Sequence, residues 1–341
     1  MKSKFKSLVM ATAVAGALIA ASVPAHAYVY AEADLNLRNL NIAVGTIGST
    51  GGFTAGSATI NSWTFTATNT ATLFGSSVIT SATCGIATAC GPTGSRLIPG
   101  AANGPGSSVV RGATDFTYYG PTGAGTFSNS TSALFTAELA GDPSTAGHTI
   151  AETNIATGTT SASANAEIKS TTSLSITFTA SGTNAFRLSF DADPATMASF
   201  HDVAGTRGSA LAQLQTRFKL RNNTLGTSAT WAPDGSNASC TSLTWACVVS
   251  DGADLNHASN QGTNNGLDDV YSRAAGWTPF TLLVTGLVNS PDPLNPYIYT
   301  LTLDTLASTD VTRVPEPASL ALMGLGLAAL GGFVARKRKQ G

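Results

Sequence analysis

Three histidines lie beyond residue 27: His148, His201 and His257. Histidine is the commonest general base and metal ligand near neutral pH. None of the three sits in a metalloprotease helix motif or beside a nucleophile elbow, and no Gly-x-Ser-x-Gly, phosphate loop or dinucleotide fingerprint occurs. Ser and Asp are so frequent that triads can be drawn by chance, so a secreted hydrolase stands only as an alternative. The best cluster for binding chemistry is the stretch holding Asp251, Asp254, Asn256, Asp268 and Asp269. Ca²⁺ takes roughly six to eight oxygens, which Asp/Asn loops with Gly at the turns can supply. The spacing departs from an EF-hand, and a solvated loop of turn formers is the preferred reading. No cofactor is otherwise expected.

Trp231, before Pro233-Asp234-Gly235, and Trp277, before Pro279, fall at turns and are candidate exposed platforms for sugar rings. Trp63 and Tyr299 fall inside alternating strands, where core packing is usual. A carbohydrate-binding module, calcium-stabilised, is therefore the runner-up function. The cysteines form two local pairs, Cys84 with Cys90 and Cys240 with Cys247. In an oxidising compartment disulfides are the default, and adjacent pairing is the simplest connectivity. The gaps are wider than zinc spacing usually allows, and no His adjoins either pair.

The elements that must position these residues read as strands. Leu174, Ile176, Phe178 and Ala180 alternate with polar residues, as do Phe186, Leu188 and Phe190, and Ser181-Gly182-Thr183-Asn184 between them predicts a β-hairpin. Leu214, Thr216, Phe218 and Leu220 alternate with Gln215, Arg217, Lys219 and Arg221, a strand with one wet face. Further strands are expected at Ser62–Ala67, Asp115–Tyr119, Phe280–Val284 and Tyr297–Leu303. Gly91–Gly106 reads as loop. Asp193-Pro194 predicts one short helix to Ser199, with Asp193 as N-cap. Together these give an all-β fold, an antiparallel β-sandwich of Greek-key or jelly-roll type with Gly/Ser/Thr-rich loops.

Composition agrees. Charged residues make up 11% of the chain, hydrophobic ones 43%, and there are 35 Gly. This excludes charge-driven disorder and is unlike an intracellular enzyme. Setting aside Lys2, Lys4, Lys6 and the four tail cations leaves 11 of the 18 Lys+Arg against 19 Asp+Glu, a net charge of about −8. Such a body does not suit nucleic acid or anionic lipid.

Both ends of the chain carry addresses. Lys2, Lys4 and Lys6 precede the apolar run Leu8–Ala21, and Ala25-His26-Ala27 fits the small-x-small cleavage pattern of a signal peptide over 1–27. Cleavage after Ala27 makes Tyr28 the first residue of a body over 28–312. The region 313–341 holds Val314-Pro315-Glu316-Pro317, an uncharged apolar span from Ala318 to Ala335, and the basic tail Arg336-Lys337-Arg338-Lys339. As a transmembrane helix, a span of 18 residues reaches roughly 27 Å. The basic tail stays cytoplasmic, which leaves everything before Pro315 outside the inner membrane.

That motif, span and tail, in that order, resemble the PEP-CTERM sorting signal of Gram-negative bacteria. The resemblance implies recognition by an exosortase, a membrane transpeptidase-like enzyme that cuts near Pro315-Glu316-Pro317 and passes the protein to the cell exterior. It implies only transient residence in the inner membrane. Such proteins occur in bacteria that make exopolysaccharide, biofilm or floc matrix. Phe190-x-Ala192-Asp193-Pro194, Trp231-x-Pro233-Asp234-Gly235, Asp254-Leu255-Asn256, Tyr271-Ser272 and Tyr299-Thr300-Leu301-Thr302-Leu303 are similar to a subgroup, the exosortase-dependent surface proteins of the EDSAP kind, which brings no catalytic residues. The expectation is a non-enzymatic cell-surface or matrix protein partnered by an exosortase and by exopolysaccharide.

Overall fold

The structure, a computed structural model, describes residues 28–49, 51–56, 58–85, 93–97, 104–105, 125–135, 145–156, 164–180, 182–201, 207–262, 267–272, 276–288 and 295–314. The signal peptide, the Asp115–Tyr119 strand, Cys90, and everything from Pro315 through the membrane span and basic tail lie outside them.

The described residues form two antiparallel sheets and no helix. In chain order the strands are β1 (Tyr28–Ile47), β2 (Phe53–Ala55), β3 (Ala58–Leu73), β4 (Ser76–Gly85), β5 (Thr93–Leu97) and β6 (Gly104–Pro105). Then come β7 (Phe127–Phe135), β8 (Thr145–Ala156), β9 (Ala164–Ala180), β10 (Ala185–His201), β11 (Arg207–Asn222) and β12 (Ser228–Trp231). The last are β13 (Cys240–Ser242), β14 (Ala246–Asp251), β15 (Ala258–Gln261), β16 (Asp268–Ser272), β17 (Thr278–Thr285) and β18 (Ile298–Val314). The first sheet runs β14-β17-β10-β1-β8-β7-β5-β6, with β16 on β10 and β2 on β1. The second runs β13-β12-β11-β18-β9-β3-β4, with β15 on β11.

Period-two alternation decides which face each strand buries. In β11, Leu214, Thr216, Phe218 and Leu220 are buried while Gln215, Arg217, Lys219 and Arg221 are exposed. Phe280, Leu282 and Val284 of β17, and Tyr299, Leu301 and Leu303 of β18, join the same apolar core. The core is graded along its length. Around Phe178, Phe186, Phe190, Phe218, Trp231 and Phe280 it is aromatic. Toward the Val314 end it is built from Ala166, Ser170, Ala210, Ala212, Ala307 and Thr309. There hydroxyls and amides bond across the sandwich, as in Thr153 Oγ1 to Thr309 Oγ1 at 3.1 Å and Asn69 Nδ2 to Ser132 Oγ at 3.0 Å.

Three sequence expectations are corrected. The hairpin predicted across 181–184 does not form, because β9 pairs with β3 and β18 whereas β10 pairs with β1, β16 and β17. Two alternating strands with a short turn satisfy either arrangement. Here their apolar faces meet across the core, with the Phe178 and Phe186 rings 5.7 Å apart. The helix expected from Asp193 is strand, the middle of β10. Pro194 sits opposite Leu35, between the segment of β10 paired to β17 (through Ala192) and that paired to β16 (from Ala195). A residue without an N–H fits such a gap in the ladder. The expected loop Gly91–Gly106 contains β5 and β6. Gly94 is there for close approach, since a Cβ on it would lie 2.4 Å from the Ser130 carbonyl oxygen.

The two ends of the described body share one end of the sandwich. Tyr28 pairs with His201 and Ala156 in the first sheet. Val314 pairs with Arg207, and Arg313 with Ala164, in the second. His201 and Arg207 are joined by one short connection, Ala156 and Ala164 by another. β1 and β18 are thus each central in their sheets, and each begins or stops at the same edge.

Candidate functional site

The acidic stretch that looked suited to calcium is a set of latches between separate elements. Asp251, at the end of β14, is buried and accepts hydrogen bonds from Trp231 Nε1 at 2.9 Å, from Ser239 Oγ at 2.6 Å and from the Asp234 amide at 3.3 Å. Asp254 forms an isolated bridge with Asp234, and its Oδ1 accepts the Asn256 amide at 2.7 Å. Asn256 Oδ1 accepts the Thr216 amide while its Nδ2 donates to the Pro233 carbonyl. Asp268 Oδ1 accepts Ser199 Oγ at 2.6 Å, and Asp269 Oδ2 accepts the Asn260 amide at 2.7 Å. The five side chains are not brought together. Among the described residues no three His, Cys, Asp or Glu gather as a metal site.

Each histidine meets one aspartate. His201 Nε2 lies 2.7 Å from Asp268, His257 Nδ1 3.5 Å from Asp254, and His148 Nε2 3.2 Å from Asp34 but off the line of a hydrogen bond. Ser236 donates to Asp234 from its amide and its hydroxyl, and these bonds hold that carboxyl below the usual carboxylate range.

The expected exposure of Trp231 is not met. It ends β12, is 0% exposed, and packs on Phe218 at 5.1 Å and Phe190 at 5.8 Å. The chain bends only from Gly235, after Asp234 has bridged Asp254, so Trp231 keeps its strand position and points inward. Trp277 is half-buried, with the Arg38 guanidinium 4.2 Å above its ring. Arg38 is aimed by the bulge in β1 between Arg38 and Asn41, where Asn39 takes a left-handed φ of 55°.

Cys240 and Cys247 are bridged, with Cα atoms 6.3 Å apart. Although the loop is short, the bond joins β13 of one sheet to β14 of the other, and Trp245 within it is buried 6.4 Å from the Tyr299 ring. The double replacement Cys240→Ser/Cys247→Ser should lower unfolding free energy by about 2 kcal/mol in denaturant titration. Cys84 is also disulfide-bonded.

One polar cluster was missed from the sequence. On the non-core face of β1, Tyr30, Glu32, Asp34 and Asn36 are all buried. Glu32 lies opposite Glu152 of β8, and the Tyr30 hydroxyl bonds both carboxyls, Glu152 Oε1 at 2.8 Å. Burial, with the two glutamate charges adding, pushes Tyr30 well above its ordinary value of 10.0. The unfolded chain loses this proton near pH 10 while the native state keeps it. The stabilisation is therefore full below about pH 10 and is lost as pH climbs toward the raised value. Tyr30→Phe should cost on the order of 2 kcal/mol at neutral pH. In unfolding titrations from about pH 8 to 11, that gap should narrow at the alkaline end.

The remaining feature is the exit from β18. This strand is hydrogen-bonded on both sides up to Arg313, and Val314 still pairs with Arg207, so Pro315-Glu316-Pro317 follows the last paired residue with no spacer. An apolar, uncharged span bounded by this proline pair and a basic tail has the order of a C-terminal sorting signal. A family model described as the PEP-CTERM protein-sorting motif matches residues 313–339, and the chain carries that motif. The motif makes the chain an exosortase substrate, exported through the membrane toward the cell surface. The match covers the sorting signal alone.

No curated protein matches the chain. Among solved structures, one of the infectious bursal disease virus Gx strain aligns at 12% identity over 86% of this chain and 81% of that one, with a TM-score of 0.09. The infectious bursal disease virus VP2 subviral particle aligns at 10% identity over 92% and 89%, with a TM-score of 0.10. Superpositions this poor carry no argument about fold or function.

Proposed function

We propose that the body is a non-enzymatic surface or matrix module, freed or displayed when an exosortase cuts near Pro315-Glu316-Pro317, and that it works by association with exopolysaccharide in a biofilm or floc. The observation that carries the sorting half is the motif at 313–339 running directly out of β18. The non-enzymatic half is supported by how the candidate residues are spent: Asp251, Asp254, Asn256, Asp268 and Asp269 each bond inside the fold.

The test is fractionation of a host expressing the chain with an internal tag, with and without its exosortase, followed by intact mass measurement. The reading expects loss of the C-terminal span and basic tail, and release from the inner membrane, only when the exosortase is present. An intact C-terminus held in the membrane under both conditions would overturn it.

A further inference from the structure

The outer face of the second sheet is a field of hydroxyls with a row of three cations on β11; Asp304, Asp310 and the Lys169–Glu167 ion pair stand on the same face. Registered rows cross it strand by strand. One reads Thr241, Thr230, Lys219, Thr302, Ser175, Thr64 across β13, β12, β11, β18, β9 and β3. The next reads Arg217, Asp304, Ser173, Thr66, Thr83, from β11 through β4. On β11 itself Arg217, Lys219 and Arg221 stand on this one face, all exposed. Alternate residues of a strand lie roughly 6.7 Å apart, so the row is roughly 13 Å long. None of the three makes an ion pair among the described residues. Asp304, opposite Arg217, is turned to Ser173 Oγ at 2.7 Å.

Three unpaired cations in succession stand out on a body whose net charge is about −8. They link two grooves. One, of ≈ 510 Å³, is lined by Thr66, Thr68, Thr171, Ser173, Gln215 and Arg217. The other, of ≈ 440 Å³, is lined by Leu225, Ser228, Thr230, Thr241, Leu243 and Thr244. Ser228 is the register partner of Arg221 and Thr230 that of Lys219, so the row runs from the first groove to the edge of the second.

We propose that this face binds an acidic polysaccharide, one bearing carboxylate or sulfate groups, laid along Arg217, Lys219 and Arg221 with its hydroxyls in the two grooves. The cations supply charge complementarity, and the Thr and Ser hydroxyls, each both donor and acceptor, match sugar hydroxyls. Nucleic acid fits less well, because neither groove carries an aromatic for base stacking and three cations neutralise few phosphates. A protein partner would want an apolar centre, and the large apolar side chains exposed here, Leu225 and Leu243, belong to the second groove and not to the cation row. The proposal rests on the reading of the body as a matrix module and names its ligand class and surface.

The experiment uses the exported protein purified from its host, passed over immobilised polygalacturonate, neutral dextran and single-stranded DNA. Wild type should be retained on polygalacturonate, eluted by salt, and pass through dextran. The triple variant Arg217→Glu/Lys219→Glu/Arg221→Glu should bind roughly tenfold or more weakly. Lys169→Glu on the same face should bind as wild type does. The glutamine triple variant replaces the glutamate one if the latter is unfolded by circular dichroism. Equal retention of wild type and triple variant, no retention of wild type, or stronger retention on DNA would each overturn the proposal. Both triple variants should still be processed and exported. A processed protein that ignores the polymer sinks this inference alone, whereas failure of processing sinks the sorting reading.

Discussion

Asp251→Ala should lower the unfolding free energy by on the order of 3 kcal/mol, chiefly through one buried donor, Trp231 Nε1, left without an acceptor. Trp231 Nε1 is in the core, so water cannot replace the lost Asp251 Oδ1. Ser239 Oγ is only part-buried and is more easily rehydrated. Asp251→Asn keeps the shape and one acceptor oxygen but adds a donor where donors already converge, and should cost less. Equilibrium denaturation with Trp fluorescence reads both, since the indole is the probe and the site at once. An alanine variant within 0.5 kcal/mol of wild type, the usual range for a surface change, would mean that the carboxylate anchors nothing.

Phe190→Ala should cost about 3–5 kcal/mol, the range for deleting a buried aromatic ring. Phe190 touches the rings of Phe218 at 5.0 Å, Phe280 at 5.0 Å and Trp231 at 5.8 Å, and so joins both sheets at the aromatic part of the core. Thr309→Ala, at the other end, removes one inter-sheet hydroxyl bond and should cost about 1 kcal/mol. Thermal melts of the pair test whether stability is as graded as composition. Phe190→Ala and Asp251→Ala both loosen Trp231, so the double variant should fall short of the sum.

What could be read from the sequence followed from alternation. The faces of β11, β17 and β18 were legible because large apolar residues recur there at every second position, as in Phe218 and Leu220, Phe280, Leu282 and Val284, and Tyr299, Leu301 and Leu303. What alternation cannot say is which strand a strand meets, which is why β9 and β10, in different sheets, read as a hairpin. Nor can it say whether a polar face is wet. Tyr30, Glu32, Asp34 and Asn36 have the pattern of a solvated face and are buried. Pro194 and Gly94 misled for a related reason, since helix and loop signals are local while the gap in the ladder and the close approach to Ser130 come from distant strands. Trp231 was misjudged because it ends β12, ahead of the bend that begins at Gly235. The sorting motif at 313–339 was legible, because its pattern is one-dimensional: charge, apolar length and a motif in order.

The position of β18 also fixes when the body can close. Export proceeds from the first residue to the last, and this is the last strand, yet it fills the slot between β11 and β9 along nearly its whole length. Until it emerges, two long strand edges stand open, the state most prone to pairing with the wrong chain. Its final paired residues, Arg313 and Val314, adjoin Pro315-Glu316-Pro317 in the sequence, so the second sheet is completed only by the residues next to the sorting motif.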